Sequence, residues 1–347
     1  MRDYTEFIEK TNRIYNCMAD ELSKKIYVSR IMNSLTYNYN YIADITKDGF
    51  HALDELRKHL EQYMDGKHEF VLDGAGYYGK SIRATMKDIP WLCFSDANPK
   101  EKEIMGLQVL KRTEAVKKYP HAVFVVSSLV YAGEIKRELQ ELNVDRIVDL
   151  DSYVGKQEAD ERQYYDVFDF AEDEVMVDVG CFDCYTTLQY FKYGNTRYKK
   201  IYSFEPDPMQ YDKCRKIILN GGYDDWEIYN AGIYDKPGNL RFRINGTCTK
   251  MDTNGDIEVD VIALDDFFIN HEAPTFIKMD IEGAELGALK GAAETIKKYK
   301  PKMAICVYHK VEDIFEIPEY ILSLNPSYRF YLRHYTNLVH ETVLYCE

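Results

Sequence analysis

In "VMVDVGCFDCYTTLQYF", residues 175–191, two cysteines stand three positions apart between an apolar strand and a stretch that reads as a helix. Cys181 and Cys184 in that setting suit a thiol–disulfide site. Asp178 and Gly180, at the strand's end, suit a nucleotide-type loop that lacks its last glycine. Three later strand ends also carry polar groups. "FEPDP" brings Glu205 and Pro206, "YNAGI" brings Asn230, Ala231 and Gly232, and "FIKMDIEGAEL" brings Asp280 and Glu282. A fifth strand is followed at once by His309.

Successive parallel strands deliver such groups to one edge of one sheet, and open α/β sheets bind ligands at that edge. S-adenosylmethionine needs this layout. A glycine-bearing turn, Asp178 to Thr186 with Cys181, Phe182 and Asp183 between, lets backbone approach the amino-acid end. Glu205, followed by Pro206, can accept both ribose hydroxyl protons, and Asn230–Gly232 can flank the adenine. Methyl transfer is an in-line displacement, so the protein mainly aligns its reactants. A hydroxyl acceptor gains from a general base, for which Asp280 and His309 are the candidates. Glu285 opens a helix, where the dipole alone favours an acid. Asp280, Glu282, His309 and His334 could gather a divalent cation, but scattered carboxylates and histidines converge by chance too often, and no metal is expected.

A second loop lies upstream. "VLDGAGYYGKSI" places Gly74, Gly76 and Gly79 as G-x-G-x-x-G between a strand and a helix, and the next strand ends at Asp96. That context suits a dinucleotide or nucleotide-sugar ligand, with Asp96 on ribose hydroxyls. A tight turn without a ligand accounts for the glycines equally well, and no Tyr-x-x-x-Lys accompanies them.

These loops need two sheets. Residues 1–66 read as helical, with Phe7, Ile8, Ile14, Met18, Leu22 and Ile26 at helix spacing and Leu53, Leu56 and Leu60 on one face. They form a layer on the next domain or an element through which the chain forms a homo-oligomer. Residues 67–155 alternate strand and helix, with strands at 70–73, 91–95, 122–127 and 146–150. Residues 160–347 repeat the alternation, with strands at 175–179, 200–204, 226–231, 276–280 and 303–308. The polar segment 151–163 reads as a linker, and "NPSY" (325–328) as a turn before a last strand. The expected fold is α/β, two tandem Rossmann-like open-sheet domains behind an N-terminal helical segment.

Bulk properties narrow the partners. A net charge of −14 over 347 residues argues against nucleic-acid binding. No apolar run reaches the length of a membrane span, and the charged N-terminus lacks a signal peptide's apolar core. Eight cysteines without a repeating spacing point to a reducing cytoplasm. The 30 tyrosines suit sugar stacking, although core packing explains most residues of this kind.

From "QYYD" (163–166) onward the chain resembles the FkbM-type S-adenosylmethionine-dependent methyltransferases. "VDVGCFDCYT" (177–186), "FEPDP" (204–208), "LDDF" (264–267), "IKMDIEGAEL" (277–286), "VYHK" (307–310) and "RHY…ETVLY" (333–345) carry the likeness in the family's order. The resemblance implies a Rossmann-like methyltransferase fold that O-methylates sugars or sugar-bearing metabolites. It implies Asp178, Gly180 and Glu205 at the cofactor, with Asp280 and Glu282 lining the pocket. The family's loop usually reads Asp-x-Gly-Ala-x-x-Gly, so Cys181 stands for Ala and Cys184 for Gly. Cys-x-x-Cys then arises from two small-residue replacements in a nucleotide loop, which argues against redox chemistry. Residues 67–155 resemble the small Rossmann-type domain sometimes fused ahead of such enzymes, and no function carries over with it. The expected partner is a carbohydrate or glycosylated small molecule. The alternatives are an enzyme using NAD or a nucleotide-sugar at Gly74–Gly79, and a non-catalytic ligand-binding scaffold.

Overall fold

The computed structural model describes residues 2–46, 52–154, 160–194, 197–245, 248–251, 253 and 255–347. They form two compact units, one of Val28–Glu158 with Thr336–Leu338, the other of Met1–Tyr27, Ala159–Tyr335 and Val339–Glu347. The helical N-terminal segment is therefore not one layer, since it divides between the units at Tyr27. The expected linker 151–163 begins as a helical turn, Asp151–Val154, and its residues 155–159 lie outside the described residues.

The first unit is built on strands β1 (Phe70–Asp73), β2 (Trp91–Asp96), β3 (Glu103–Ile104), β4 (Leu107–Lys111), β5 (Val123–Val126) and β6 (Ile147–Asp149), in the order β3-β4-β2-β1-β5-β6. All pairings are parallel except β3 with β4. Every residue of β1 and β5 is buried, which explains their unbroken apolar runs. The β3–β4 hairpin escaped the sequence reading because edge strand β3 has two residues and β4 is half exposed, with only Val109 and Leu110 buried. Leu53, Leu56 and Leu60 of helix Ala52–Leu60 are all buried, the face that the spacing marks.

The second unit carries β7 (Val175–Val179), β8 (Lys200–Phe204), β9 (Trp226–Tyr229), β10 (Gly232–Ile233), β11 (Gly238–Asn245), β12 (Cys248–Met251), β13 (Ile257–Ile262), β14 (Phe276–Met279), β15 (Lys302–Cys306), β16 (Phe330–His334) and β17 (Thr342–Cys346). Its main sheet has seven strands in the order β16-β17-β15-β14-β7-β8-β9. β17 runs antiparallel to both neighbours, and the strands from β15 to β9 are mutually parallel. The chain starts at central β7, builds outward to β9, and returns to the other side of β7 as β14. The switch point between β7 and β14 is where open parallel sheets form ligand crevices. Between β9 and β14 the chain forms a separate four-stranded sheet, β10-β13-β11-β12, which the sequence reading did not foresee.

Helix Arg2–Cys17 packs on helix Asp313–Leu324, with Phe7 and Phe315 edge to face at 5.6 Å. Ala19 then donates to the Phe330 carbonyl at 2.7 Å, tying this segment to edge strand β16. Much of the apolar face expected to support oligomers is buried (Ile14, Met18, Ile26), while Ile8 and Leu22 remain about half exposed. The main core is strongly aromatic, with Tyr164, Tyr165, Phe168, Tyr190, Phe276 and Tyr345 together. Core packing thus absorbs a good share of the tyrosines.

Candidate active site

At the end of β7 the chain turns sharply. Gly180 has φ +83°, and a Cβ there would lie 2.1 Å from the backbone oxygen of Asp280, so only glycine fits between the two strand ends. Lys278, opposite Asp178 in the β7–β14 register, donates to the Gly180 carbonyl at 2.7 Å and pairs with Asp178 Oδ1 at 2.9 Å. Thr187 donates to the other Asp178 oxygen. Asp178 and Lys278 are 0% and 2% exposed, so both lie beneath the edge surface. Asp178, expected at the cofactor, is paired beneath the turn with Lys278 and Thr187. Burial opposes the Lys278 charge, but Asp178 and Asp280 outweigh it and hold the ammonium well above the usual lysine range.

Beyond Gly180 the loop takes left-handed backbone at Phe182 (φ +48°) and Cys184 (φ +63°). The Cys184 side chain points inward and is fully buried, as Cys181 nearly is, so it adds no bulk on the outer side. The exposed Asp183 accepts from the Tyr185 amide at 3.0 Å, and the Thr186 carbonyl accepts from Tyr165 Oη at 2.8 Å. Glu205 at the end of β8 reaches this loop. Its Oε2 accepts from the Phe182 amide at 2.9 Å and its Oε1 from the Asp207 amide at 2.8 Å. Each oxygen keeps a second lone pair for another donor. Burial pushes the Glu205 carboxyl up to about 8, against the pull of the Asp207 and Phe182 amides. Asn230 clamps the same strand end by donating to the carbonyls of Glu205 (2.9 Å) and Pro206 (3.2 Å). Ala231 and Gly232 are buried, and Gly232 starts β10, facing Phe242 and Val261 of the small sheet. Of that trio, Asn230 alone is exposed at the edge.

The ends of β14 and β15 build an acidic cluster around one histidine. His309 Nδ1 lies 2.9 Å from Glu285 Oε1, and its Nε2 lies 3.5 Å from Asp280 Oδ1 and 3.7 Å from Glu282 Oε2. Burial would lower the His309 pKa, but Glu285, then Asp280 and Glu282, raise it to about 9. The ring is thus an imidazolium near neutral pH rather than a free base. Glu285, read from sequence as a helix-dipole acid, is completely buried and also accepts from the Ile281 amide at 2.9 Å. It thus contacts both the His309 ring and the backbone of the loop after β14. Asp280 stays partly exposed and accepts from Tyr164 Oη at 2.9 Å. Tyr308 lies against the His309 ring at 4.1 Å and donates to Glu341 at 3.0 Å, and Gln163 donates to the other Glu341 oxygen. Burial, then the Asp280 charge, raises the Glu341 pKa. Asp280, Glu285 and His309 could hold a cation by proximity. His334 is not in that group, and its Nδ1 pairs with Thr342 at 2.8 Å.

Tyr164, Lys278 and Glu341 carried no role in the sequence reading. Lys278 had a signal, a lone charge inside the buried run of β14. Tyr164 and Glu341 lie in two of the segments that carried the resemblance, "QYYD" and "ETVLY", which meet here beside "VYHK".

In the first unit, Gly79 is set by packing, since a Cβ there would lie 2.0 Å from the Gly74 carbonyl oxygen. A Cβ on Gly74 would meet Ser127 Oγ at 2.4 Å, and one on Gly76 would meet nothing within 4 Å. Asp96 is engaged by its own loop, accepting from the Ala75 amide at 3.1 Å and the Asn98 amide at 2.9 Å.

Residues 175–337 match the family model described as "Methyltransferase FkbM domain". A curated relative, 2-O-methyltransferase NoeI of Sinorhizobium fredii (strain NBRC 101917 / NGR234), is 25% identical, over 45% of this chain and 72% of its own length. The crystal structure of methyltransferase FkbM from Methylobacillus flagellatus KT superposes with a TM-score of 0.50 at 19% identity, covering 91% of this chain and all of that one. The stretch from the start of β7 to beyond β16 is thus similar to a methyltransferase FkbM domain.

Proposed function

We propose that the protein transfers a methyl group from S-adenosylmethionine to a hydroxyl of a carbohydrate or glycosylated small molecule. One observation carries this reading. The Gly180 turn and Asp280 abut across the β7–β14 switch point, so a donor loop and a carboxylate base share one crevice. The name of the relative, a 2-O-methyltransferase, supports a hydroxyl acceptor. Tyr308, half-exposed between His309 and His340, offers an aromatic wall beside the acids that suits a sugar ring.

The residues at the edge fit the donor. Glu205 would accept the ribose hydroxyls with the lone pairs its two amide contacts leave free, and Phe182 and Asn230 would border the rest. When bound, S-adenosylmethionine supplies an electrophilic methyl on a sulfonium. Asp280, with Tyr164 fixing one of its oxygens, takes the proton of the acceptor hydroxyl. The His309 imidazolium, held by the buried Glu285, faces Asp280 and Glu282 and places a positive charge beside them. Glu205 and Asp280 thus serve different substrates.

Titration of S-adenosylhomocysteine separates the two roles. Glu205→Ala is expected to lose binding by at least tenfold, whereas Asp280→Asn keeps binding and loses turnover. Full turnover in Asp280→Asn would remove the base assignment, and unchanged binding in Glu205→Ala would remove the donor site.

A further inference from the structure

Beneath the Gly180 loop lies a cluster that neither the proposed donor site nor the acid cluster uses. Cys181 and Cys184 come from the loop, and Cys214 rises from the middle of helix Pro208–Gly221. All three are buried, at 2%, 0% and 0% exposure, and none is in a disulfide. Their sulfur atoms all lie within 4.8 Å of one another. The loop places its two cysteines there at a cost, because Phe182 and Cys184 hold left-handed backbone that non-glycine residues adopt with strain of roughly 1–2 kcal/mol. Such strain persists only where the surroundings over-determine it.

We propose that Cys181, Cys184 and Cys214 bind one soft, thiophilic metal ion, with Cu(I) as the best fit. A metal–sulfur bond of about 2.3 Å in a trigonal plane needs sulfurs roughly 4 Å apart, so only a small contraction separates the present triangle from a coordinated one. Thiolates select Cu(I), zinc and iron–sulfur centres, and closed zinc sites want four ligands. This group contains no histidine or carboxylate, which favours a three-coordinate ion. The ion would displace the thiol protons, which pass to solvent. One of these thiol protons now makes a hydrogen bond, since Cys214 Sγ donates to the Phe182 carbonyl at 3.0 Å. An entry path is short. Asp183 and Tyr185 on either side of Cys184 are exposed, so opening one turn uncovers the sulfurs. The site does not depend on the methyltransferase reading, because its ligands make no use of the donor edge.

The test is anaerobic titration of the reduced full-length protein with Cu(I) against bathocuproine disulfonate as competitor. Wild type is expected to take one equivalent from the competitor, and Cys214→Ser to bind at least tenfold more weakly. Cys93→Ser, buried in the first sheet, is the control and should match wild type. X-ray absorption on the loaded wild type, which needs no variant to fold, should find three sulfur neighbours at about 2.3 Å. No transfer from the competitor, a Cys214→Ser variant that binds like wild type, or a first shell with fewer than three sulfurs would each overturn the proposal.

Discussion

Lys278→Met removes a fully buried cation from the sheet beneath the Gly180 turn, and its cost can be worked from the contacts. The ammonium is 2.9 Å from Asp178 and 2.7 Å from the Gly180 carbonyl, and neither Lys278 nor Asp178 reaches water. Removing one partner of a buried pair costs about 3–5 kcal/mol, because the other charge stays behind without compensation. Methionine replaces the lysine stem closely in volume, so cavity formation adds little. Asp178→Asn with Lys278→Met removes both charges and should recover a large part of the loss, although the Gly180 carbonyl still lacks its donor at about 1 kcal/mol. Two compact units make a single global transition unsafe to assume. Urea unfolding should therefore be followed in a Trp91→Phe background, where Trp226 of β9 is the remaining tryptophan and reports the second unit. A loss below 1 kcal/mol in Lys278→Met, or a double variant no more stable than the single one, would refute the claim that this pair holds the turn.

Gly180→Ala should destabilise the same domain by at least about 2 kcal/mol, since its Cβ would collide with backbone and its φ of +83° is strained for alanine. Gly76→Ala, with open space around its Cβ and φ of −80°, should change stability by no more than about 0.5 kcal/mol in thermal melts. Ribose hydroxyls favour the ionised form of Glu205, so S-adenosylhomocysteine affinity by calorimetry should rise about tenfold per unit of pH up to about 8 and then level, and a flat profile would contradict the donor role. His309 has a folded pKa of about 9 above its ordinary 6.5, so it stabilises the fold fully below 6.5 and that contribution disappears as pH passes 9. It amounts to about 3 kcal/mol, and His309→Gln should therefore lose stability against wild type at pH 6 but much less at pH 10.

The sequence discloses strands better than it discloses what their ends do, and the physical reason is burial. β7 and β8 are mainly apolar and buried along nearly their whole length, and the bounds read from sequence, Val175–Val179 and Lys200–Phe204, are those of the structure. β10 to β13 are a small sheet with one thin core, Phe242, Val259 and Val261, so their pattern is weak. At the edge, polar residues at four strand ends are legible as a set, but not which of them faces a ligand. Asp178 and Glu205 look alike in sequence, each acidic near a strand's end. The structure separates them, because Lys278 lies opposite Asp178 in register and consumes its charge, whereas backbone amides hold Glu205 and leave lone pairs over. The same distinction splits Asp280 from Glu285. Glu285 sits inward, locked to His309, and Asp280 stays at the surface with an oxygen to spare. An acid's role is therefore set by the partner that the fold brings to it from far along the chain, Lys278 for Asp178 and His309 for Glu285. Local sequence holds no record of that pairing unless the partner itself stands out, as Lys278 does in its apolar strand.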